Sequence, residues 1–174
     1  MDVCEVMQKA IQIEEEAEQF YRDAAEETSN PLAEHTFVAL ADWEVEHKKL
    51  LQSVYDAAQA NNSCPALTEL DAEQVNMVEE AGRLFSQALE DLRGDLATDP
   101  TLDAAYATAM EKERRSIRFY QERLDESSTD EERDLFGFLV GQERGHLNLL
   151  ATTEEYLNDT TYWNFKQEMW IVTG

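Results

Sequence analysis

Residues 44–47 read EVEH, and residues 143–146, which lie 99 positions further along the chain, read ERGH. Each of these Glu-x-x-His pairs follows another glutamate, Glu14 or Glu113, at a distance of 30 residues. When the chain is shifted by 99 positions, residues 10–51 align without a gap, and 12 of the 42 aligned pairs are identical. Self-similarity at one fixed spacing indicates an internal duplication.

Each half of the duplication is predicted to be a helical hairpin. Glycine and proline are scarce, at 6 and 3 residues, and the chain is rich in alanine, glutamate and leucine, which favour helix. Turns are predicted at Ser29-Asn30-Pro31 and at Ser127–Asp130, because proline and small polar residues stop or cap helices. The helices are expected at about 3–28, 32–60, 102–126 and from the second turn to about 157.

About 40 residues, 61–101, connect the two hairpins. Apolar residues from Val75 to Leu92 recur at helical spacing and predict an extra amphipathic helix in this crossover. A long connection between two hairpins suits an all-α four-helix bundle. We expect residues 1–158 to form the bundle domain and residues 159–174 to form an aromatic tail that packs on the bundle or on another subunit.

Six polar residues interrupt the apolar stripes that face the predicted core. In an antiparallel hairpin, residues equally far from the turn lie at one level, here about 22 Å from the turn at 1.5 Å per residue. Four carboxylates and two imidazoles therefore converge inside the bundle. They belong to Glu14, Glu44, His47, Glu113, Glu143 and His146.

Such a cluster of buried carboxylates requires positive charge, because the carboxylates repel one another and lose hydration. Two divalent cations balance four carboxylates, and glutamate oxygen with neutral imidazole nitrogen suits iron, manganese or zinc. Dinuclear carboxylate centres in bundles take one glutamate from each of two helices and Glu-x-x-His from each of the others. The sequence predicts such a centre but does not separate iron from manganese.

The ligand segments resemble the rubrerythrin branch of the ferritin-like superfamily over about residues 3–157. The segments that carry the resemblance are EEEAEQFY (14–21), EVEH (44–47), ERRSIRFY (113–120) and ERGH (143–146). The resemblance implies a ferritin-like bundle with two iron ions. It also implies that Glu44 and Glu143 bridge the metals, that Glu14 and Glu113 are terminal ligands, and that Tyr21 and Tyr120 contact the ligands without binding the metals. Core packing with a hydrogen-bonded hydroxyl is the alternative for both tyrosines.

The chain departs from the prototypical family pattern in two places. Prototypical rubrerythrins carry a rubredoxin domain with two CxxC pairs, whereas the cysteines here, Cys4 and Cys64, form no such pair. Electrons would then come from an external protein such as a rubredoxin, or from Fe(II) itself. Ser116 stands where prototypical members carry an additional glutamate, which makes the predicted centre symmetric.

These features predict a di-iron peroxidase or oxidase that reduces hydrogen peroxide or dioxygen and counters oxidative stress. Two alternatives stay open: a ferroxidase or a non-catalytic protein that binds and buffers iron, and a dimanganese centre with catalase-like chemistry. The oligomeric state is also open, and a homodimer through the aromatic tail is one arrangement.

The composition excludes several other classes of function. A formal net charge of -24 argues against nucleic acid and against an anionic membrane surface. No apolar run approaches 18 residues, and the N-terminal MDVCEVMQ lacks the basic and apolar regions of a signal peptide. We therefore expect a cytoplasmic protein whose two cysteines are reduced.

Two further residues have simple predicted roles. His35 lies 12 residues before His47, about 120° around the helix, and is expected to be a surface or capping histidine rather than a ligand. Trp43 is expected to be a packing residue rather than an electron relay.

Overall fold

Four long α-helices form the part of the chain that the computed structural model describes, residues 3–61, 64–66 and 102–158. The predicted all-α bundle is confirmed, and each helix boundary lies within about two residues of its predicted position. The predicted crossover helix and the aromatic tail lie outside the described residues. The helices are α1 (Val3–Glu27), α2 (Pro31–Asn61), α3 (Asp103–Glu126) and α4 (Asp130–Asn158).

The turn of the first hairpin stops α1 and starts α2. Pro31 is the first residue of α2, where its missing N–H costs nothing. The side chain of Asn30 caps the helix, because its Oδ1 accepts the backbone N–H groups of Leu32 and Ala33 at 3.1 and 3.2 Å. The predicted stop at residues 29–31 therefore acts through a proline and a capping amide.

The turn of the second hairpin uses a capping box. The Oγ1 of Thr129 accepts the backbone N–H of Glu132 at 3.2 Å, and the Glu132 carboxylate accepts the N–H of Ser128 at 2.8 Å and that of Thr129 at 3.4 Å. These bonds satisfy three backbone N–H groups at the start of α4.

Two apolar clusters fill the bundle, one on each side of a polar layer. The first consists of buried residues from the C-terminal halves of α1 and α4 and the N-terminal halves of α2 and α3, such as Phe37, Tyr106 and Leu150. The second consists of buried residues from the N-terminal halves of α1 and α4 and the C-terminal halves of α2 and α3, such as Met7, Val54 and Tyr120. The end of α2 and the start of α3 consequently lie at opposite ends of the bundle, which is the connectivity of a crossover bundle.

The apolar clusters position the polar layer, because Glu14, Glu44, Glu113 and Glu143 each lie between them along their own helix. None of the described helices combines the length and the apolar character that crossing a bilayer requires.

Candidate metal centre

All six predicted ligand residues meet in the polar layer and are buried. Glu14, Glu44, Glu143 and His146 have no exposed surface, and Glu113 and His47 keep 1% and 4%. Their helices deliver them as predicted, with one glutamate from α1 and from α3 and a glutamate–histidine pair from α2 and from α4. That these residues hold a metal remains a prediction, but their convergence is a feature of the structure.

The donor atoms fall into two overlapping groups of four residues that could each hold a metal ion, with the ligand atoms within 4.8 Å of one another. One group adds Glu14 and His47 to Glu44 and Glu143, and the other adds Glu113 and His146 to the same two glutamates. Glu44 and Glu143 therefore stand between the two groups, where bridging ligands would be required.

Each imidazole lies among carboxylates from more than one helix. The Nδ1 atom of His47 is 3.2 Å from Oε2 of Glu44 and 3.1 Å from Oε1 of Glu143. The Nδ1 atom of His146 is 3.2 Å from Oε1 of Glu44, 3.4 Å from Oε2 of Glu113 and 3.6 Å from Oε2 of Glu143. Because of these short distances, oxygen and nitrogen donor atoms from different helices lie close enough together to bind the same ion.

Many of these buried polar atoms lack a hydrogen bond of good geometry despite the short distances. They include Oε2 of Glu14, Oε1 of Glu44, Oε2 of Glu113, both carboxylate oxygens of Glu143 and both ring nitrogens of His146. Leaving a buried polar group without a partner costs about 1–3 kcal/mol. A divalent cation would bind these oxygen and nitrogen atoms directly, so the donor set fits a dinuclear metal centre.

The buried groups of the layer shift one another's pKa values in opposite directions. Burial and the charges of neighbouring glutamates raise the pKa of Glu14 well above its usual range. Burial is also the largest influence on Glu113 and, with the charge of Glu143, it outweighs the opposing effect of His146, so the pKa of Glu113 is raised as well. Burial therefore favours the protonated, uncharged form of Glu14 and of Glu113.

The remaining four residues form ionised pairs. Burial alone would lower the pKa of His47, but contacts with Glu143 and Glu44 outweigh it and raise that pKa to about 9. His146 behaves in the same way, with its pKa raised by Glu44, Glu113 and Glu143 against the effect of burial. In turn the two histidines hold the pKa values of Glu44 and Glu143 below the usual range, although burial would raise both. Two imidazolium ions thus balance two carboxylates.

Two buried tyrosines cross the bundle to the glutamates of the opposite half. The hydroxyl of Tyr21 on α1 donates a hydrogen bond to Oε1 of Glu113 on α3, and the hydroxyl of Tyr120 on α3 donates to Oε1 of Glu14 on α1. Burial and the nearby carboxylates raise the pKa of both tyrosines well above 10, so both hydroxyls keep their protons. Each tyrosine therefore fixes one oxygen of a glutamate and leaves the other oxygen for the centre.

The surroundings of the two histidines differ, which sequence reasoning missed. The indole of Trp43 stacks on the ring of His146, with centroids 5.4 Å apart and an interplanar angle of 10°. At the equivalent position of the other half, 99 residues later, stands the largely buried Gln142. This difference could have been read from the repeat, since a tryptophan is matched there by an amide. Trp43 packs as predicted, but it packs directly on a ligand candidate.

Other predicted residues also have clear positions. Ser116 is buried, as is Ala17 at the equivalent position of α1, so no additional carboxylate enters the centre from these positions. His35 is exposed on α2 and lies outside the polar layer. Cys4 and Cys64 are free thiols that are half-buried, and neither belongs to the layer.

Comparison with known families agrees with this geometry. The family model described as Rubrerythrin matches residues 5–154, which is most of the chain and contains all six residues of the layer. Searches against curated proteins and against solved structures gave no significant match.

Proposed function

The chain belongs to the rubrerythrin family, and on that premise we propose that it is a dinuclear iron oxidoreductase that reduces hydrogen peroxide or dioxygen. The observation that carries the proposal is the pair of overlapping four-residue groups that share Glu44 and Glu143. Two metal ions at adjacent positions with common carboxylates would each supply one electron to the same substrate, which suits a two-electron reduction.

Iron is the metal proposed for these positions. Two ferrous ions bound there would supply the two electrons that, with two protons, convert one hydrogen peroxide molecule into two water molecules. The ligands would be Glu14 and His47 on one side, Glu113 and His146 on the other, and Glu44 and Glu143 in common. An external one-electron carrier protein would return the electrons.

The protein groups themselves would orient the ligands and exclude water. Tyr21 and Tyr120 hold their protons at the hydroxyl oxygen and would fix one oxygen of Glu113 and of Glu14 by a hydrogen bond. The apolar clusters on both sides keep bulk water out, which strengthens every charge interaction inside the layer. Trp43 lies flat on His146 and limits rotation of its ring.

A ferroxidase is the second candidate, and the symmetry of the centre favours it. Each half contributes one glutamate, one Glu-x-x-His pair and one tyrosine, and Ser116 replaces the carboxylate that would make one side different. In this case Fe(II) is a substrate that is oxidised and then released or stored.

Kinetics after anaerobic loading with Fe(II) separate these functions. The peroxidase predicts rapid oxidation by a pulse of peroxide, slower oxidation in air, and repeated turnover when a reductant is supplied. Faster reaction in air with release of ferric iron would support the ferroxidase instead. An absence of any oxidation with two irons bound would leave a buffering role and refute both.

A further inference from the structure

The two halves of the duplication carry opposite charge on the surface beside the centre. In α3, residues 112–118 contain four cations, Lys112, Arg114, Arg115 and Arg118, which we call the basic face. The equivalent residues of α1, 99 positions earlier, are Ile13, Glu15, Glu16 and Gln19. In a chain with 38 acidic residues and only 14 lysines and arginines, this concentration of positive charge is local and specific to one half.

The basic face is only partly neutralised within the chain. Glu111 pairs with Arg118 at 2.8 Å and lies 4.0 Å from Arg114, and Glu16 lies 3.6 Å from Arg115. Lys112 donates to the backbone oxygen of Glu16 at 3.3 Å, which brings no negative charge. The carboxylate of Glu154 on α4 is also close enough to Arg114 for their charges to attract. Among the described residues, three carboxylates therefore face four cations. Exposed pairs of this kind contribute little to stability, so folding alone gives no reason for the cluster.

The position of the basic face connects it with the centre. Glu113 lies between Lys112 and Arg114 in the chain and points inward, while the arginines point to solvent. Since a helix with its side chains is about 10–12 Å across, anything bound on the basic face lies about one helix diameter from a ligand candidate.

The surface around this face suits a transient partner rather than a permanent one. Among the described residues, Val38 is the large apolar side chain that is exposed, and it lies on α2, not on α3. Stable dimers bury extensive apolar surface, whereas electron-transfer encounters are small and are steered by charge. A long polyanion is disfavoured because it would extend beyond the basic face onto the acidic surface of the rest of the chain, whereas a small carrier can contact the basic face alone.

We propose that the basic face of α3 is the docking surface for an acidic one-electron carrier protein that reduces the buried centre. The inference rests on the proposed function, which requires an external source of electrons. The carrier would be oxidised by one electron in each encounter, and two encounters would restore the two electrons that the reduction of peroxide consumes. The acidic α1 beside the face would repel the same carrier, so docking has a preferred side.

The test compares two double variants with the same change in charge. Arg114→Glu with Arg115→Glu reverses the basic face and removes one surface ion pair at each position. Arg22→Glu with Arg133→Glu is the matched control, because it also reverses two partly exposed arginines and breaks one surface pair each. The probe is a rubredoxin of net negative charge, and a second preparation has its surface carboxylates converted to neutral amides.

Binding of the oxidised rubredoxin is measured by calorimetry at low and high salt, and peroxide turnover is measured with reduced rubredoxin and with ascorbate. We expect the basic-face variant to bind about tenfold more weakly and to show a raised KM for the carrier, and the control variant to change by less than about twofold. Added salt or amidation should weaken binding to the wild type in the same way. Turnover with ascorbate should be equal in all three proteins.

Several outcomes would overturn the docking surface. One is equal weakening of rubredoxin binding in both variants, and another is absence of binding to the wild type at low salt. A third is a dimer in sedimentation that dissociates only in the basic-face variant, which would assign the face to a second copy of the chain. Loss of peroxide turnover with ascorbate in every protein would refute the proposed function. The binding comparison would still decide the docking surface in that case.

Discussion

Metal binding should release about four protons per chain at pH 7, because the buried layer exchanges protons for metal charge. From the directions of the pKa shifts, we expect that without metal Glu14 and Glu113 are neutral carboxyls and that His47 and His146 are imidazolium ions that balance Glu44 and Glu143. Two divalent cations bring four positive charges and require four carboxylates and two neutral imidazoles as ligands. The layer is neutral before and after binding only if each of the four protonated residues loses its proton.

The number of released protons should fall as the pH rises. Because the pKa of His47 is about 9, its proton is present at pH 7 and is largely absent at pH 10, so binding at pH 10 should release about three protons or fewer. Apparent metal affinity should rise over the same range, since protons compete less with the metal. Glu44 and Glu143 contribute nothing to this change, because their lowered pKa values keep them ionised throughout.

The assay is titration of the apoprotein with Zn(II), which is not oxidised, in weakly buffered solution with a pH-indicator dye. Calorimetry in two buffers of different ionisation enthalpy gives an independent count of protons. His35→Ala is the control, because it removes an exposed histidine outside the layer and should leave the count at four. Release of one proton or none at pH 7 would refute the charge balance, since the carboxylates would then be ionised and the imidazoles neutral before metal arrives.

Further predictions test the ligands, their support, the pH dependence and the fold. His146→Ala should abolish binding of two metals per chain, and two metals retained in an iron titration would refute the ligand assignment. Tyr21→Phe should leave two metals bound but lower affinity or turnover about tenfold, because it frees an oxygen of its glutamate partner; an unchanged titration curve and kcat would limit the tyrosine to packing. The apoprotein should lose stability as the pH rises. The folded-state pKa of His47 lies above its unfolded value, so its contribution is present below about pH 6.5 and is lost by about pH 9. In urea unfolding, the wild type should lose about 3 kcal/mol more than His47→Gln over this range, because the raised pKa values of His146, Glu14 and Glu113 contribute to the loss in both proteins. An equal loss in the two proteins would contradict the prediction. Thr129→Ala should lower the free energy of unfolding by about 1 kcal/mol, because α4 loses its capping hydroxyl, while the metal stoichiometry stays at two.

The level of the centre along the bundle could be predicted from the duplicated sequence. Glu14 and Glu44 lie almost equally far from Asn30, and helix geometry then places them side by side in the hairpin. The i,i+3 spacing within each Glu-x-x-His pair places both side chains on one face. Helical period and distance from the turn are local properties, which is why sequence reasoning reached them.

Contacts across the bundle depend on how the two hairpins pack, and the sequence did not determine them. The positions of Tyr21 and Tyr120 were predicted, but their partners, Glu113 and Glu14, belong to the opposite hairpin. The stack of Trp43 on His146 likewise joins α2 to α4. The helical period of the sequence shows which face of its helix a residue occupies. Which residue of another helix it contacts depends on the packing of the whole core.

The two halves of the repeat share the ligand residues of the buried layer and differ at positions around it. The ligand residues are identical in both halves, whereas Trp43 is matched by Gln142 and Arg115 by Glu16. Identity at the buried layer follows from the shared charge balance. These differences change the residue that packs on His146 and the charge of the α3 surface. The two sides of the symmetric centre therefore have different surroundings.

Whether the chain holds two metal ions between shared carboxylates is decided by an anaerobic titration with Fe(II). We expect binding to saturate at two ferrous ions per chain, and we expect Glu44→Ala, which removes a ligand common to both positions, to lose both ions together. Saturation at one ion, no binding, or two ions retained in Glu44→Ala would contradict the dinuclear centre.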